Sequence, residues 1–195
     1  MSPLEIVAVL LGLINIVLIV RRSLWNYPFG IAMVTLYFFI FFRARLYSDT
    51  LLQVFFLVVQ VYGLWCWLKG RDTQGELIVV RAGAPTMMLW ALGIAGATGL
   101  WGWLMHRYTD AAFPWWDAAV AMISVGAQIM MSRRYIENWV AWVLVDALAI
   151  GLYASRDLWL TAGLYTMFLL IALWGWREWI IVGRGQRGVA DPLPA

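Results

Sequence analysis

The stretch Glu137 to Asp146 reads "ENWVAWVLVD" and sets an acid deep in an apolar run. Trp139, Trp142 and Asp146 stand at i, i+3 and i+7, which is one face of a helix. A carboxylate at the centre of a bilayer costs about 2.5–3.5 kcal/mol even on lenient insertion scales, so such a group faces a cavity or a partner. Ring faces beside an acid make a receptor for a flat cation: each ring contributes roughly 0.5–2 kcal/mol of cation–π attraction and the acid adds a counter-charge. The plain structural alternative is a protonated Asp146 that hydrogen-bonds a neighbouring helix, with Trp139 as an interfacial belt residue.

A second group of polar side chains lies in "LLQVFFLVVQVYGLWCW". Gln53, Gln60 and Trp67 are seven apart and share a stripe, and Gln60 is expected at about the depth of Asp146. Glutamine both donates and accepts, which suits amide or hydroxyl groups on a cargo. Joining helices is the competing role, at about 0.6 kcal/mol per bond. Tyr165, in the last apolar run, lies nearer the midplane than a belt residue should and is a further candidate. Asn15 and Gln128 are read as helix–helix contacts. No His-containing triad, Gly-rich phosphate loop or paired acids on one helix occurs. One cysteine, Cys66, and one histidine, His106, leave no disulfide framework or His/Cys metal cluster. Neither catalysis nor a cofactor is expected.

The elements that must hold these residues follow from composition. Of 195 residues, 64% are hydrophobic and 13% charged, more apolar matter than one water-soluble core of this size can hide. Seven runs suit helices of roughly 17–25 residues across a layer of about 30 Å: Pro3–Val20, Trp25–Phe42, Leu51–Leu68, Pro85–Met105, Pro114–Met131, Asn138–Ser155 and Leu158–Trp176. The first is read as a span and not a cleaved leader, because no basic residue precedes it and Arg21 and Arg22 follow it. A net charge of +3 gives no reason to expect nucleic acid as a partner. Of the fourteen basic residues, alternate loops place Arg43, Arg45, Arg107 and Arg156 on one side and the other ten on the opposite side. The positive-inside rule then sets the carboxyl terminus in the cytoplasm and the amino terminus outside. The tail 183–195, rich in Gly, Arg and Pro, is expected to be disordered.

Displaced by 112 residues without a gap, the chain matches itself. Glu5 meets Asp117, Arg21 and Arg22 meet Arg133 and Arg134, Asn26 meets Asn138, and Gly63 and Trp67 meet Gly175 and Trp179. Gln53 meets Tyr165, so both are expected to look into one central space. Only ten of 65 positions are identical, so the polar and basic matches at span ends carry the signal. The expected fold is an all-α membrane protein of seven transmembrane helices as 3+1+3. Repeat one covers about 3–67, a linker helix about 85–105 and repeat two about 115–179, all within a single domain of residues 1–182. An odd number of spans per copy and one linking span make the repeats parallel, about an axis along the membrane normal, as in the SWEET transporters.

"WNYPFG" (Trp25 to Gly30), "LYSDTLLQVFF" with the following "YGLWCW", and "NWVAWVLVDALAIGLYASRDLWLTAGLYTMF" resemble the PnuC family of vitamin transporters from about Ile6 to Trp179. The resemblance implies a trimeric facilitator in the bacterial inner membrane for nicotinamide riboside, trapped afterwards by phosphorylation. It draws substrate contacts from the third, sixth and seventh spans, here Gln53, Gln60, Trp139, Trp142, Asp146 and Tyr165. The pyridinium, amide and ribose of that cargo suit the ring faces, acid and glutamines. Thiamine, another flat cation, suits the same pocket, and the larger neutral riboflavin suits it less. Two further readings remain: a proton-coupled carrier using Asp146, and a membrane scaffold whose polar residues only join helices.

Overall fold

The computed structural model describes residues 3–43, 47–72, 75–109, 113–155, 157 and 159–190. Arg45 and Arg156 of the charge balance, and the tail after Ala190, lie outside the described residues. Among the described residues are seven helices: α1 (Pro3–Val20), α2 (Asn26–Arg43), α3 (Tyr47–Lys69), α4 (Ala84–Tyr108), α5 (Pro114–Ser132), α6 (Asn138–Ala154) and α7 (Trp159–Ala190). Each expected span is one helix. The 18 residues of α1 rise about 27 Å, close to the thickness of the hydrocarbon layer. Pro114 opens α5 and Pro85 stands in the first turn of α4, where a missing N–H leaves nothing unpaired.

The carboxyl-terminal segment corrects an expectation. Residues from Gly183 continue α7 as far as Ala190, although their composition reads as disordered. Tertiary contacts explain this: the Val79 N–H donates to Gln186 Oε1 at 3.1 Å. Gly183 also packs so closely on Ile136 and Val79 that a Cβ there would lie 2.8 Å from Ile136 Cδ1.

The chain forms two compact units. The first holds Met1–Ile78 and Ser132–Arg134, with α2 packed on both α1 and α3. Asn15 Nδ2 donates to the Asn26 carbonyl at 2.6 Å, joining α1 to α2 as expected. The Tyr27 ring meets Trp67 edge-on, with centroids 5.4 Å apart. That approach needs Gly63, where a Cβ would stand 2.9 Å from Tyr27 Oη. At the end of α3, the Arg134 guanidinium donates through Nη1 to the carbonyls of Gly70 (3.0 Å) and Ile78 (2.9 Å). It clasps a loop that the Ile78 N–H also closes onto the Gly70 carbonyl.

The second unit holds Val79–Met131 and Tyr135–Ala195. α6 packs on α7, and Trp116 Nε1 donates to the Leu148 carbonyl at 3.0 Å, tying α5 to α6. The Val80 carbonyl accepts from the Ile136 N–H, and Glu137 Oε2 accepts from the Ala82 N–H at 3.0 Å. α4 turns Met88, Leu89, Leu92 and Leu100 outward, an exposed apolar face suited to lipid and unsuited to water.

Some local geometries recur at the 112-residue spacing. Arg22 and Arg134 both adopt positive φ, 57° and 64°, a conformation costing a non-glycine residue about 1–2 kcal/mol. Both turns end in a buried asparagine whose Nδ2 donates back three residues: Asn26 to Ser23, and Asn138 to Tyr135, each at 2.6 Å. Trp139 meets Trp179 edge-on at 5.7 Å, as Tyr27 meets Trp67 in the first unit, and Gly175 stands against Trp139 as Gly63 stands against Tyr27.

Candidate functional site

In the second unit, α6 and α7 bring an acid and a pair of tyrosines together. Asp146 is buried, at 4% exposure. It lies close enough to Tyr165 to act on it electrostatically. Tyr165 stacks on Tyr153 with centroids 5.2 Å apart and planes inclined by 27°. Phe168 meets the Tyr165 ring edge-on at 5.8 Å. The result is an acid beside a stacked pair of phenols, both half-buried. Such a set has a carboxyl group, π-faces and hydroxyls within one neighbourhood, the functional groups a flat cation with hydrogen-bonding substituents requires.

Tyr153 escaped the reading of the sequence. It follows Asp146 by seven residues and therefore shares its helical face, a spacing that would have pointed to it. Trp142 lies one turn before Asp146 on that face and is half-buried, leaving part of its ring accessible. Trp139 is different. Its ring is 1% exposed, held between Trp179 and Gly175, where a Cβ would stand 2.5 Å from its Cη2. Trp179 is fully buried as its partner. The belt reading of Trp139 therefore fails, since a belt ring must reach the interface. Its Nε1–H and the Asn138 Oδ1 are buried with no hydrogen-bond partner among the described residues, a condition that costs about 1–3 kcal/mol per group until a partner arrives.

The glutamines belong to the first unit, in two different settings. Gln53 borders a cavity of about 200 Å³ between α2 and α3, with Val34, Thr35, Phe38, Val54 and Leu57. Thr35 Oγ1 is already committed to the Ile31 carbonyl at 2.7 Å, so the Gln53 amide is the main polar feature of a largely apolar wall. Gln60 is buried against Gly30, close to the Asn15 amide, in a space that a Cβ at residue 30 would fill. The shared stripe on α3 therefore serves two neighbourhoods: a cavity wall at Gln53 and a three-helix junction at Gln60.

Comparison with known proteins gives a consistent picture. A family profile described as nicotinamide mononucleotide transporter matches residues 2–181. The nicotinamide riboside transporter PnuC of Escherichia coli (strain K12) is 31% identical over 214 residues, spanning 96% of this chain and 89% of that protein. The riboflavin/roseoflavin transporter RibM of Streptomyces davaonensis is 29% identical over 195 residues, spanning 98% of this chain and 91% of that one. A crystal structure of the vitamin B3 transporter PnuC superposes with a TM-score of 0.73 at 25% identity, covering 93% of this chain and 82% of its own.

Proposed function

The chain belongs to the nicotinamide mononucleotide transporter family, and from that premise we propose that it carries nicotinamide riboside across the bacterial inner membrane as a passive facilitator. It is a transporter and not an enzyme. The observation that supports the choice of cargo is Asp146, buried beside the Tyr153–Tyr165 pair in the second unit. The pyridinium ring of nicotinamide riboside supplies the positive charge that a buried carboxylate requires. Its carboxamide and ribose offer donors and acceptors to Tyr153 and Tyr165. Trp142 gives the ring a face to lie against. Trp139 acts from beneath, as the packed support of α6 against Trp179.

The architecture in this reading is 3+1+3, with two parallel three-helix repeats about an axis along the membrane normal and the amino terminus outside. The recurrence of the Arg–Asn turn and the edge-on ring pair at 112 residues supports it. In that register the cavity residues Val34 and Gln53 correspond to Asp146 and Tyr165. At these equivalent positions the first repeat carries an apolar side chain and an amide, the second an acid and a phenol. Alternating access follows from rocking of such repeats around a fixed site. The working assembly is a homotrimer.

Uptake into proteoliposomes tests the proposal. Radiolabelled nicotinamide riboside is expected to enter saturably and at a rate indifferent to an imposed pH gradient. Similarity to RibM makes riboflavin the informative competitor. Saturable riboflavin uptake without any nicotinamide riboside uptake refutes the cargo and leaves the carrier standing. Acceleration by a proton gradient refutes the passive mechanism.

A further inference from the structure

The carboxyl-terminal end of α3, in the first unit, carries a set of rings and cations that the cargo reading does not use. Tyr62, Trp65 and Lys69 follow at i, i+3 and i+7 and share one helical face. Lys69 Nζ stands 4.1 Å from the centroid of the Trp65 ring. The Tyr62 and Trp65 rings are 6.3 Å apart and inclined by 32°, and Arg133 Nε donates to Tyr62 Oη at 3.3 Å. A cation is therefore fixed at each end of a pair of rings. Both cations are exposed, and Trp65 is 53% exposed.

The side of α3 leading to this cluster is apolar and outward-facing. Val58, Val61 and Leu68 are more than half exposed, at 62%, 56% and 54%. A stripe of bare aliphatic side chains that ends in an amphipathic ring and two cations has the polarity profile of one lipid molecule, tail first and headgroup last. Residues 112 further on are Trp174, Arg177 and Ile181. The Trp–Lys pair thus has no counterpart in the second unit, and the cluster is not part of the packing pattern that recurs there. The rings also hold Lys69 and Arg133 in place beforehand, so less side-chain freedom is lost when an anion arrives.

We propose that Lys69, Arg133 and Trp65 form a binding site for an anionic phospholipid, whose headgroup pairs with the two cations and whose acyl chain lies along Val58 and Val61. A soluble phosphate matches the cations but leaves the adjoining stripe bare, which is why the lipid is the better occupant. The site is independent of which cargo the protein carries.

Electron spin resonance of the full chain in phosphatidylcholine membranes, with spin-labelled phosphatidylglycerol and phosphatidylcholine as probes, measures the preference for the anionic lipid. Lys69→Gln and Arg133→Gln are each expected to lower that preference about fivefold. Arg107→Gln, on α4 of the second unit, should leave it unchanged. Circular dichroism and the oligomer size by light scattering serve as fold controls, and Lys69→Gln alone suffices if Arg133→Gln fails to fold. The proposal is overturned by an unchanged preference in the variants, or by an equal loss in Arg107→Gln, the mark of diffuse charge. Displacement of the lipid by glycerol 3-phosphate as effective as by phosphatidylglycerol overturns it too. So does a change of oligomeric state in the variants, which would make the cluster a subunit contact.

Discussion

Replacing Asp146 by Asn removes one negative charge and keeps the side chain's volume and hydrogen bonding. The carboxylate is 4% exposed, so solvent screens it little. With an effective dielectric constant of about 20 and a cation about 5 Å away, the pair gains roughly 3 kcal/mol. Desolvation of both ions offsets part of that gain, leaving about ten- to a hundredfold in affinity. Calorimetric binding to purified protein isolates the charge if two ligands are compared: nicotinamide riboside, and its reduced dihydropyridine form, which keeps the substituents and loses the ring charge. The variant should bind the cationic form about ten- to a hundredfold more weakly while changing the neutral form by less than about threefold. Equal weakening of both ligands would mean that Asp146 supports the fold and not the cargo, and undiminished binding of the cation would remove it from the site altogether.

Gly175→Ala places a methyl group 2.5–2.6 Å from three atoms of the Trp139 ring, whose edge contact with Trp179 leaves it no room to retreat. A loss of about 1–3 kcal/mol is expected, read as a lowered Tm by scanning fluorimetry. Gly63→Ala should cost less, because its nearest neighbours include the terminal hydroxyls of Tyr27 and Ser132; equal losses would contradict the packing argument. Tyr153→Phe keeps the ring stacked on Tyr165 and deletes its hydroxyl, so KM for uptake should rise about two- to tenfold with the maximal rate retained. An unchanged KM would place the tyrosine pair outside the cargo's path.

Much of the fold was legible because the bilayer imposes a length and a polarity on every crossing segment. Runs such as Pro3–Val20 and Asn138–Ser155 end where polar or turn-forming residues begin, and α1 and α6 end within a residue of those limits. Asp146 was legible for the same reason: a charge inside such a run is an anomaly that needs a partner. Its burial agrees with that reading. Asn15 joins two helices as its isolated amide suggested. The Arg–Asn turn at the start of α2 and α6 was visible as matched polar residues 112 apart, and each forms the same side-chain bond.

What sequence alone determined, then, was which segments leave water and which polar groups are out of place within them. It did not determine which apolar surfaces meet protein and which meet lipid, because both environments are apolar and hydropathy does not distinguish them. Trp139 read as a cargo ring or, alternatively, a belt ring, yet it forms a buried edge-on pair with Trp179 because Gly175 leaves a hollow opposite. Gln53 and Gln60 share a stripe, yet one borders a cavity and the other fills a junction beside Gly30. Tyr153 joins Tyr165 only through the packing of α6 on α7. Residues 183–190 stay helical because the Val79 N–H and Ile136 meet them from distant parts of the chain. In each case the decision belongs to a neighbour remote in sequence, and only the folded chain supplies that neighbour.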